Sequence, residues 1–132
     1  MACVADSHSL IWYLLKSPEL SADALQIFSD TAAGEDVYVP TICLVEITYL
    51  IEKNRFPRQL LAQVLQTLNN PQSELKSFPL DENVATNLQN IPRSIVPDMP
   101  DRIIAARALA LNLPLVTCDT KIQKLTNIKT VW

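Results

Sequence analysis

The stretch CVADSHSLIW, residues 3–12, contains the pattern from which the fold of this chain can be predicted. Its first residues are apolar and short enough for a buried strand. Asp6 and Ser7 can then cap a helix whose Leu10 and Ile11 share one face. Strands and helices continue to alternate along the rest of the chain, which favours an α/β sandwich around a mostly parallel sheet.

The composition indicates a folded protein, and we predict a single domain over residues 1–132. Hydrophobic residues make up 48% and charged residues 19% of the chain, and the formal net charge is −3. This balance argues against disorder, and any nucleic-acid contact must be local. No apolar run is long enough for a membrane span, and no signal peptide is recognisable. The three cysteines lack CxxC spacing, so we expect reduced thiols in a cytoplasmic protein.

The predicted elements alternate along the whole sequence. Strands are expected near residues 2–5, 37–39, 75–79, 115–118 and 128–132. Ser21, Thr41 and Asp81 are placed to cap helices, Pro57 fits the first turn of another, and a strongly patterned helix is expected over residues 101–112. Residues 91–100 contain three prolines and are predicted to form a loop.

Isolated carboxylates within or beside short apolar stretches are the main functional signal. An ionised carboxylate beside a core is costly unless a positive or hydrogen-bonding group meets it. The predicted topology places all of them at the carboxyl edge of the sheet, where ligands bind in open parallel sheets. A divalent metal such as Mg²⁺ would relieve their repulsion and could support phosphodiester hydrolysis. The four acids are Asp6, Glu46, Asp101 and Asp119.

Each acid also has a purely structural interpretation. Asp6, Asp101 and Asp119 could be plain N-caps, and Glu46 could be an acid of the first helical turn favoured by the helix dipole. Asp98 could be a cap or an outer metal ligand, and we favour the cap.

Other polar residues near these acids are candidates for auxiliary roles. Ser7 and Thr117 could position a ligand or cap locally. Arg102 and Lys121 are candidate contacts for phosphate, although Arg102, like Arg107, could equally be a solvated charge or the partner of an acid. The single histidine, His8, is expected to be structural.

The acid-bearing stretches also resemble the PIN-domain ribonucleases, especially the VapC toxins of VapBC toxin–antitoxin pairs. Any one stretch is only weakly specific. Their order and spacing over nearly the whole chain are fairly specific. The stretches are VADSHSLIW at 4–12, SADA at 21–24, TICLVEI at 41–47, PDMPDRIIAARA at 97–108, LVTCD at 115–119 and the final VW.

The resemblance implies a three-layer α/β/α sandwich and a Mg²⁺- or Mn²⁺-dependent endoribonuclease. Asp6, Glu46, Asp101 and Asp119 would be the metal-binding and catalytic acids. A homodimer is implied, together with an antitoxin partner that places a basic side chain in the acidic pocket. Ser7 stands where relatives commonly have Thr or Asn. Residues 94–97 lack the histidine that relatives often carry there, a difference that bears on RNA contacts.

Two other classes of function compete with an RNA endonuclease. The first is a catalytically silent PIN-like domain that binds protein or RNA. The intact set of acids argues against it. The second is a metal-dependent phosphatase for small phosphoesters. Such enzymes usually carry an Asp-x-Asp motif, which the sequence following Asp6 does not supply.

Overall fold

The computed structural model describes residues 2–132 and contains a five-stranded sheet. The strand order is β3-β2-β1-β4-β5, and every pairing within this sheet is parallel. The predicted α/β architecture on a parallel sheet is therefore confirmed. The strands are β1 Cys3–Ala5, β2 Val37–Pro40, β3 Leu75–Phe78, β4 Leu115–Val116 and β5 Thr130–Val131.

Helices cover the sheet and complete the predicted sandwich. They are α1 Ser7–Leu14, α2 Ala22–Ala32, α3 Ile42–Glu52, α4 Gln59–Leu68, α5 Glu82–Asn87 and α6 Met99–Leu111. Contacts join α3 to both α1 and α6, whereas α2 packs on β1 and β2. No helix within residues 2–132 combines the length and hydrophobicity needed to cross a bilayer.

Side-chain caps at two helix starts agree with the sequence, and one does not. Ser21 accepts a hydrogen bond from the Ala24 amide and Asp81 accepts one from the Val84 amide, so both cap as predicted. Thr41 precedes α3, but its hydroxyl makes no capping hydrogen bond. Its backbone is already helical there, with φ −63° and ψ −21°, and not extended as in an ordinary N-cap.

The start of α6 differs from the prediction by two residues. The helix begins at Met99, and Asp98 is its N-cap, accepting a hydrogen bond from the Asp101 amide at 3.1 Å. The favoured capping role of Asp98 is thus present, and Asp101 is not the cap. Pro100 fits the first turn because its missing N–H would have no helical acceptor there.

Strand order reverses at β1. The chain runs outward from β1 through β2 to β3, then crosses back to place β4 on the other side of β1. The carboxyl ends of β1 and β4 are tied together: the Asp6 amide donates to the Val116 carbonyl at 3.4 Å and the Ser9 hydroxyl donates to the same oxygen at 2.9 Å. A crevice at this reversal is where open parallel sheets bind ligands.

Arg107 is a buried charge that anchors α6. It is 2% exposed, and its Nη2 donates to Asp81 Oδ1 at 2.8 Å and to the Pro79 carbonyl at 3.1 Å. Its guanidinium carbon lies 4.1 Å from the centroid of the Phe78 ring. Of the two interpretations open from the sequence, pairing with an acid is the one observed. The helix that carries Asp101 is therefore fixed to the segment after β3.

Candidate metal centre

A cavity of about 380 Å³ opens at the carboxyl ends of β1 and β4. The structure brings all four predicted acids to it, because they line the cavity together with a serine, a histidine, a tryptophan and a cysteine. The auxiliary candidates Asp98 and Thr117 do not line it. The lining residues are Asp6, Ser7, His8, Trp12, Glu46, Asp101, Cys118 and Asp119.

At this site, three acids have carboxylate oxygens that lie close to one another. One carboxylate oxygen from each of Glu46, Asp98 and Asp101 lies within 4.8 Å of the others. Asp6 and Asp119 line the same cavity without belonging to this group. Asp98 therefore combines its capping bond with a position beside two of the predicted acids.

Asp6 is both a helix cap and a wall of the cavity. Its Oδ1 accepts from the Ser9 amide at 2.9 Å, and the Asp6 amide donates to the Ser9 hydroxyl at 3.1 Å. Burial raises the pKa of the Asp6 carboxyl, and hydrogen bonds from Thr117 and Ser9 and the charge of His8 oppose this rise. The structural interpretation of Asp6 is thus correct, and it does not exclude a place at the site.

Asp119, like Asp6, is both a cap and a residue that lines the cavity. Its Oδ1 accepts from the amides of Lys121 at 2.8 Å and Ile122 at 2.9 Å, which caps the short turn that follows β4. The Asp119 amide donates to the Thr117 hydroxyl at 3.0 Å. Since the Thr117 side chain also hydrogen-bonds to the carboxylate of Asp6, this one residue links two acids.

The side chain of Glu46 in α3 is held by a hydrogen bond from Ser7 at the start of α1. It lies beyond the first turn of α3, so its interpretation as a first-turn acid is wrong. The Ser7 hydroxyl donates to Glu46 Oε1 at 2.6 Å. Burial raises the pKa of the Glu46 carboxyl; the bond from Ser7 opposes the rise, and the nearby acids Asp98 and Asp6 add to it.

Asp101 is surrounded by the other acids of the cavity and its rim. Burial, followed by the charges of the other acids around it, raises the pKa of its carboxyl to about 7. Among residues 2–132, none of the lysines and arginines lines the cavity. Most of the atoms in the cavity that could bind a metal are carboxylate oxygens, which are the ligands that Mg²⁺ and Mn²⁺ prefer. The acids whose charges raise the pKa of Asp101 are Asp98, Asp119, Glu46 and Asp6.

The sequence model of the PIN domain matches residues 3–128. The chain belongs to the PIN domain family.

One relative and two solved structures are similar to this chain over nearly its whole length. Ribonuclease VapC22 of Mycobacterium tuberculosis is 28% identical over 129 residues, which cover 96% of this chain and 95% of that protein. A chain in the crystal structure of VapBC2 from Rickettsia felis, bound to a promoter DNA fragment, aligns with a TM-score of 0.73 and 17% identity, covering 98% of this chain and 97% of that one. A chain of DNA-bound VapBC from Salmonella typhimurium gives 0.71 and 18%, with 98% and 96% covered. At these identities the structures support the fold.

The two predicted phosphate contacts of this PIN domain lie outside the cavity. Arg102 donates through Nε to the Ile91 carbonyl at 3.1 Å and through Nη2 to the Leu88 carbonyl at 3.0 Å. Its guanidinium is therefore engaged between α5 and α6. Lys121 is exposed in the turn after Asp119.

Three lining residues were not predicted for this PIN domain's cavity: His8, Trp12 and Cys118. A signal for the first two was present, since residues four apart share a helix face and α1 starts directly beside Asp6. Cys118 is only partly buried, and burial raises the pKa of its thiol. Its position next to Asp119 gave no indication of which way the side chain would face.

Proposed function

We propose that this PIN domain is a metal-dependent endoribonuclease and the toxin of a toxin–antitoxin pair. The observation that carries the proposal is the convergence of Asp6, Glu46, Asp101 and Asp119 on one cavity that no lysine or arginine among residues 2–132 lines. The PIN family match and the similarity to Ribonuclease VapC22 support RNA as the substrate.

The four acids would hold a Mg²⁺ or Mn²⁺ ion, and Asp98 is close enough to Glu46 and Asp101 to offer a further oxygen. The raised pKa of Asp101 supports this fit, because burial and then the neighbouring acids disfavour its charged form, and a bound cation would offset both effects. Such an ion supplies a Lewis acid that neutralises charge on a phosphate and lowers the pKa of coordinated water.

The protein's own contribution is to hold these acids in place. Ser7 orients Glu46 through a 2.6 Å hydrogen bond, and Thr117 bonds to Asp6 while accepting from the Asp119 amide. We assign the orientation of an attacking water to Glu46, because it enters the cavity from α3 and the Ser7 hydroxyl fixes one of its carboxylate oxygens. Asp101 must lose its proton near neutral pH before the cavity carries its full negative charge.

The proposed partners follow from the same cavity. An antitoxin would inhibit the enzyme by placing a lysine or arginine side chain among the acids, because no lysine or arginine of residues 2–132 lines the cavity. Structural neighbours solved as VapBC complexes support such a partner. We propose a homodimer as the working form and the cytoplasm as its location, where the free cysteines would stay reduced.

The test is incubation of the purified, partner-free protein with a mixed cellular RNA pool, with Mg²⁺, with EDTA, and as the Asp6→Asn variant. Asn keeps a side-chain oxygen to accept from the Ser9 amide, so α1 stays capped while one negative charge is lost. We expect discrete RNA fragments that require both the metal and Asp6. Equal cleavage under all three conditions, or RNA binding without cleavage by folded protein, would refute the proposal.

A further inference from the structure

Four aromatic rings form a continuous row that no role proposed above uses. The Phe56 and His8 ring centroids are 6.4 Å apart, those of His8 and Trp12 are 5.3 Å apart, and those of Trp12 and Trp132 are 5.7 Å apart. Successive rings are tilted by 53° to 58°. Because they are not stacked in parallel, they do not cover one another's faces as a stack would.

The row connects two concave surfaces. His8 and Trp12 line the acidic cavity. Phe56 lines a separate groove of about 630 Å³ at the connection between α3 and α4. His8 is exposed, whereas the other three rings are partly buried, each with part of its surface against the core and part open. An aromatic path therefore leads from this groove to the edge of the acid cluster.

The groove is positively charged, unlike the cavity. Arg55 and Arg58 line it and are exposed, and Glu52 is the one acid among its lining residues. Neither arginine side chain forms a hydrogen bond or an ion pair with residues 2–132, whereas Arg102 and Arg107 are both engaged. Two arginines are thus available for a ligand in a chain whose net charge is −3.

We propose that this row is a base-stacking track for single-stranded RNA, with Arg55 and Arg58 binding the phosphates that lie beyond the acidic cavity. The inference rests on the proposed RNA cleavage and names how the substrate is held. Aromatic rings stack on any base of an unpaired strand, and arginines fix its backbone. A duplex keeps its base faces covered, so the track selects unpaired RNA.

The chain is well suited to a direct test. Its only two tryptophans, Trp12 and Trp132, both belong to the row, so intrinsic fluorescence reports on stacking there. The probe is a single-stranded RNA of about 12 nucleotides, compared with a duplex of the same sequence. Binding is measured in the Asp6→Asn background, and KM and kcat are measured in the background with all acids intact.

Two variants and a matched control address the track. Phe56→Leu keeps an apolar side chain against the core and removes the ring. The double variant Arg55→Ala, Arg58→Ala removes two exposed charges. The control Lys16→Ala, Lys129→Ala removes the same charge from the opposite edge, after the end of α1 and before β5. Far-ultraviolet circular dichroism and melting curves check that each variant is folded.

We expect single-stranded RNA to quench tryptophan fluorescence and the duplex to leave it unchanged. Phe56→Leu should raise Kd and KM about tenfold with little change in kcat. The double arginine variant should reduce the slope of log K against log salt by about 1.4, the value for two single-strand phosphates. The lysine control should leave both quantities unchanged.

Unchanged KM and salt slope in variants that still cleave RNA would overturn the track while leaving the nuclease proposal intact. Loss of binding to a protein inhibitor with unchanged RNA affinity would overturn it too and assign the groove to that partner. If the wild-type protein cleaves no RNA but still shows the expected quenching and its loss in Phe56→Leu, the track stands and the nuclease proposal fails.

Discussion

The hydroxyl of Ser7 donates to Oε1 of Glu46 at 2.6 Å, and this bond joins the start of α1 to α3 across the cavity. Ser7 is 3% exposed and Glu46 is partly buried, so the bond is partly shielded from water. It opposes the rise that burial causes in the pKa of Glu46 and so favours the ionised carboxylate. Ser7, the residue after the first acid of the chain, thus fixes one oxygen of Glu46 and favours its ionised form.

Removal of this hydroxyl should impair activity more than folding. We expect Ser7→Ala to lower the cleavage rate about tenfold, equivalent to about 1.4 kcal/mol, because Glu46 loses its orienting donor. Ser7→Thr keeps the hydroxyl and is the control. Single-turnover cleavage at saturating RNA measures the effect, and equal rates for the alanine and threonine variants would contradict the role assigned to Ser7.

Thr117 provides a second link, between Asp6 and Asp119. We expect Thr117→Val to lower the free energy of unfolding by about 1–3 kcal/mol, since the partly buried Asp119 amide loses its acceptor and Asp6 loses a donor. Urea denaturation measures the change. Thr48→Val is the matched control, because the Thr48 hydroxyl bonds to the Leu44 carbonyl in its own helix and to no acid or amide of residues 2–132. A similar loss in both variants would mean that the link has no special effect.

We expect the carboxylate of Asp101 to lower the stability of the metal-free protein but to be required for cleavage. Asp101→Asn removes a carboxylate that burial and neighbouring acids disfavour, so the metal-free protein should gain about 1–2 kcal/mol at pH 8, after allowance for partial solvent exposure. The same variant should lose metal-dependent cleavage. Thermal melts and cleavage assays on one preparation test both parts. A destabilised Asp101→Asn protein would contradict the electrostatic account.

Two substitutions can distinguish the helix-capping role of Asp98 from a role as a metal ligand. Asn caps helices about as well as Asp, whereas Ala does not. If Asp98 only caps α6, Asp98→Asn should keep full stability and cleavage, and Asp98→Ala should lose about 1 kcal/mol of stability. We expect Asp98→Asn to stay folded but to bind Mn²⁺ more weakly, because its oxygen lies near those of Glu46 and Asp101. Unchanged Mn²⁺ affinity would limit Asp98 to capping.

The stability of the metal-free protein should depend on pH in a defined direction. Because the pKa of Asp101 is raised to about 7, the folded protein keeps a proton that the unfolded chain has already released above a pH of about 4. The free energy of unfolding should therefore fall as pH rises from about 4 to about 7 and level off above that. Asp6 and Glu46 are shifted in the same direction. Added Mg²⁺ should restore stability at pH 8, and a metal-free profile that rises over this range would contradict the account.

Part of the site could be predicted because two of its acids lie just beyond short apolar strands. Asp6 follows β1 directly and Asp119 comes three residues after the end of β4, and parallel strands bring their carboxyl ends to one edge. Local chemistry also marked the caps at Ser21 and Asp81, since each side chain bonds to an amide three residues on. These features depend on residues close together in sequence.

The remaining features depend on long-range packing. Nothing near Arg107 in sequence shows that its guanidinium reaches Asp81 and the Phe78 ring, so the sequence left solvation and pairing equally open. The three prolines of residues 91–100 predict a loop that extends through Pro100, yet α6 begins at Met99, because proline is tolerated in the first turn of a helix. The row from Phe56 to Trp132 joins both halves of the chain and could not be predicted from spacing.

The most direct test of the central claim is a Mn²⁺ titration of the metal-free protein, with bound ion followed by electron paramagnetic resonance and RNA cleavage measured in the same samples. The account predicts saturable binding, cleavage that rises in proportion to occupancy, and the loss of both in Asp101→Asn. Undiminished Mn²⁺ binding by that variant, or full cleavage by wild-type protein with no ion bound, would contradict it.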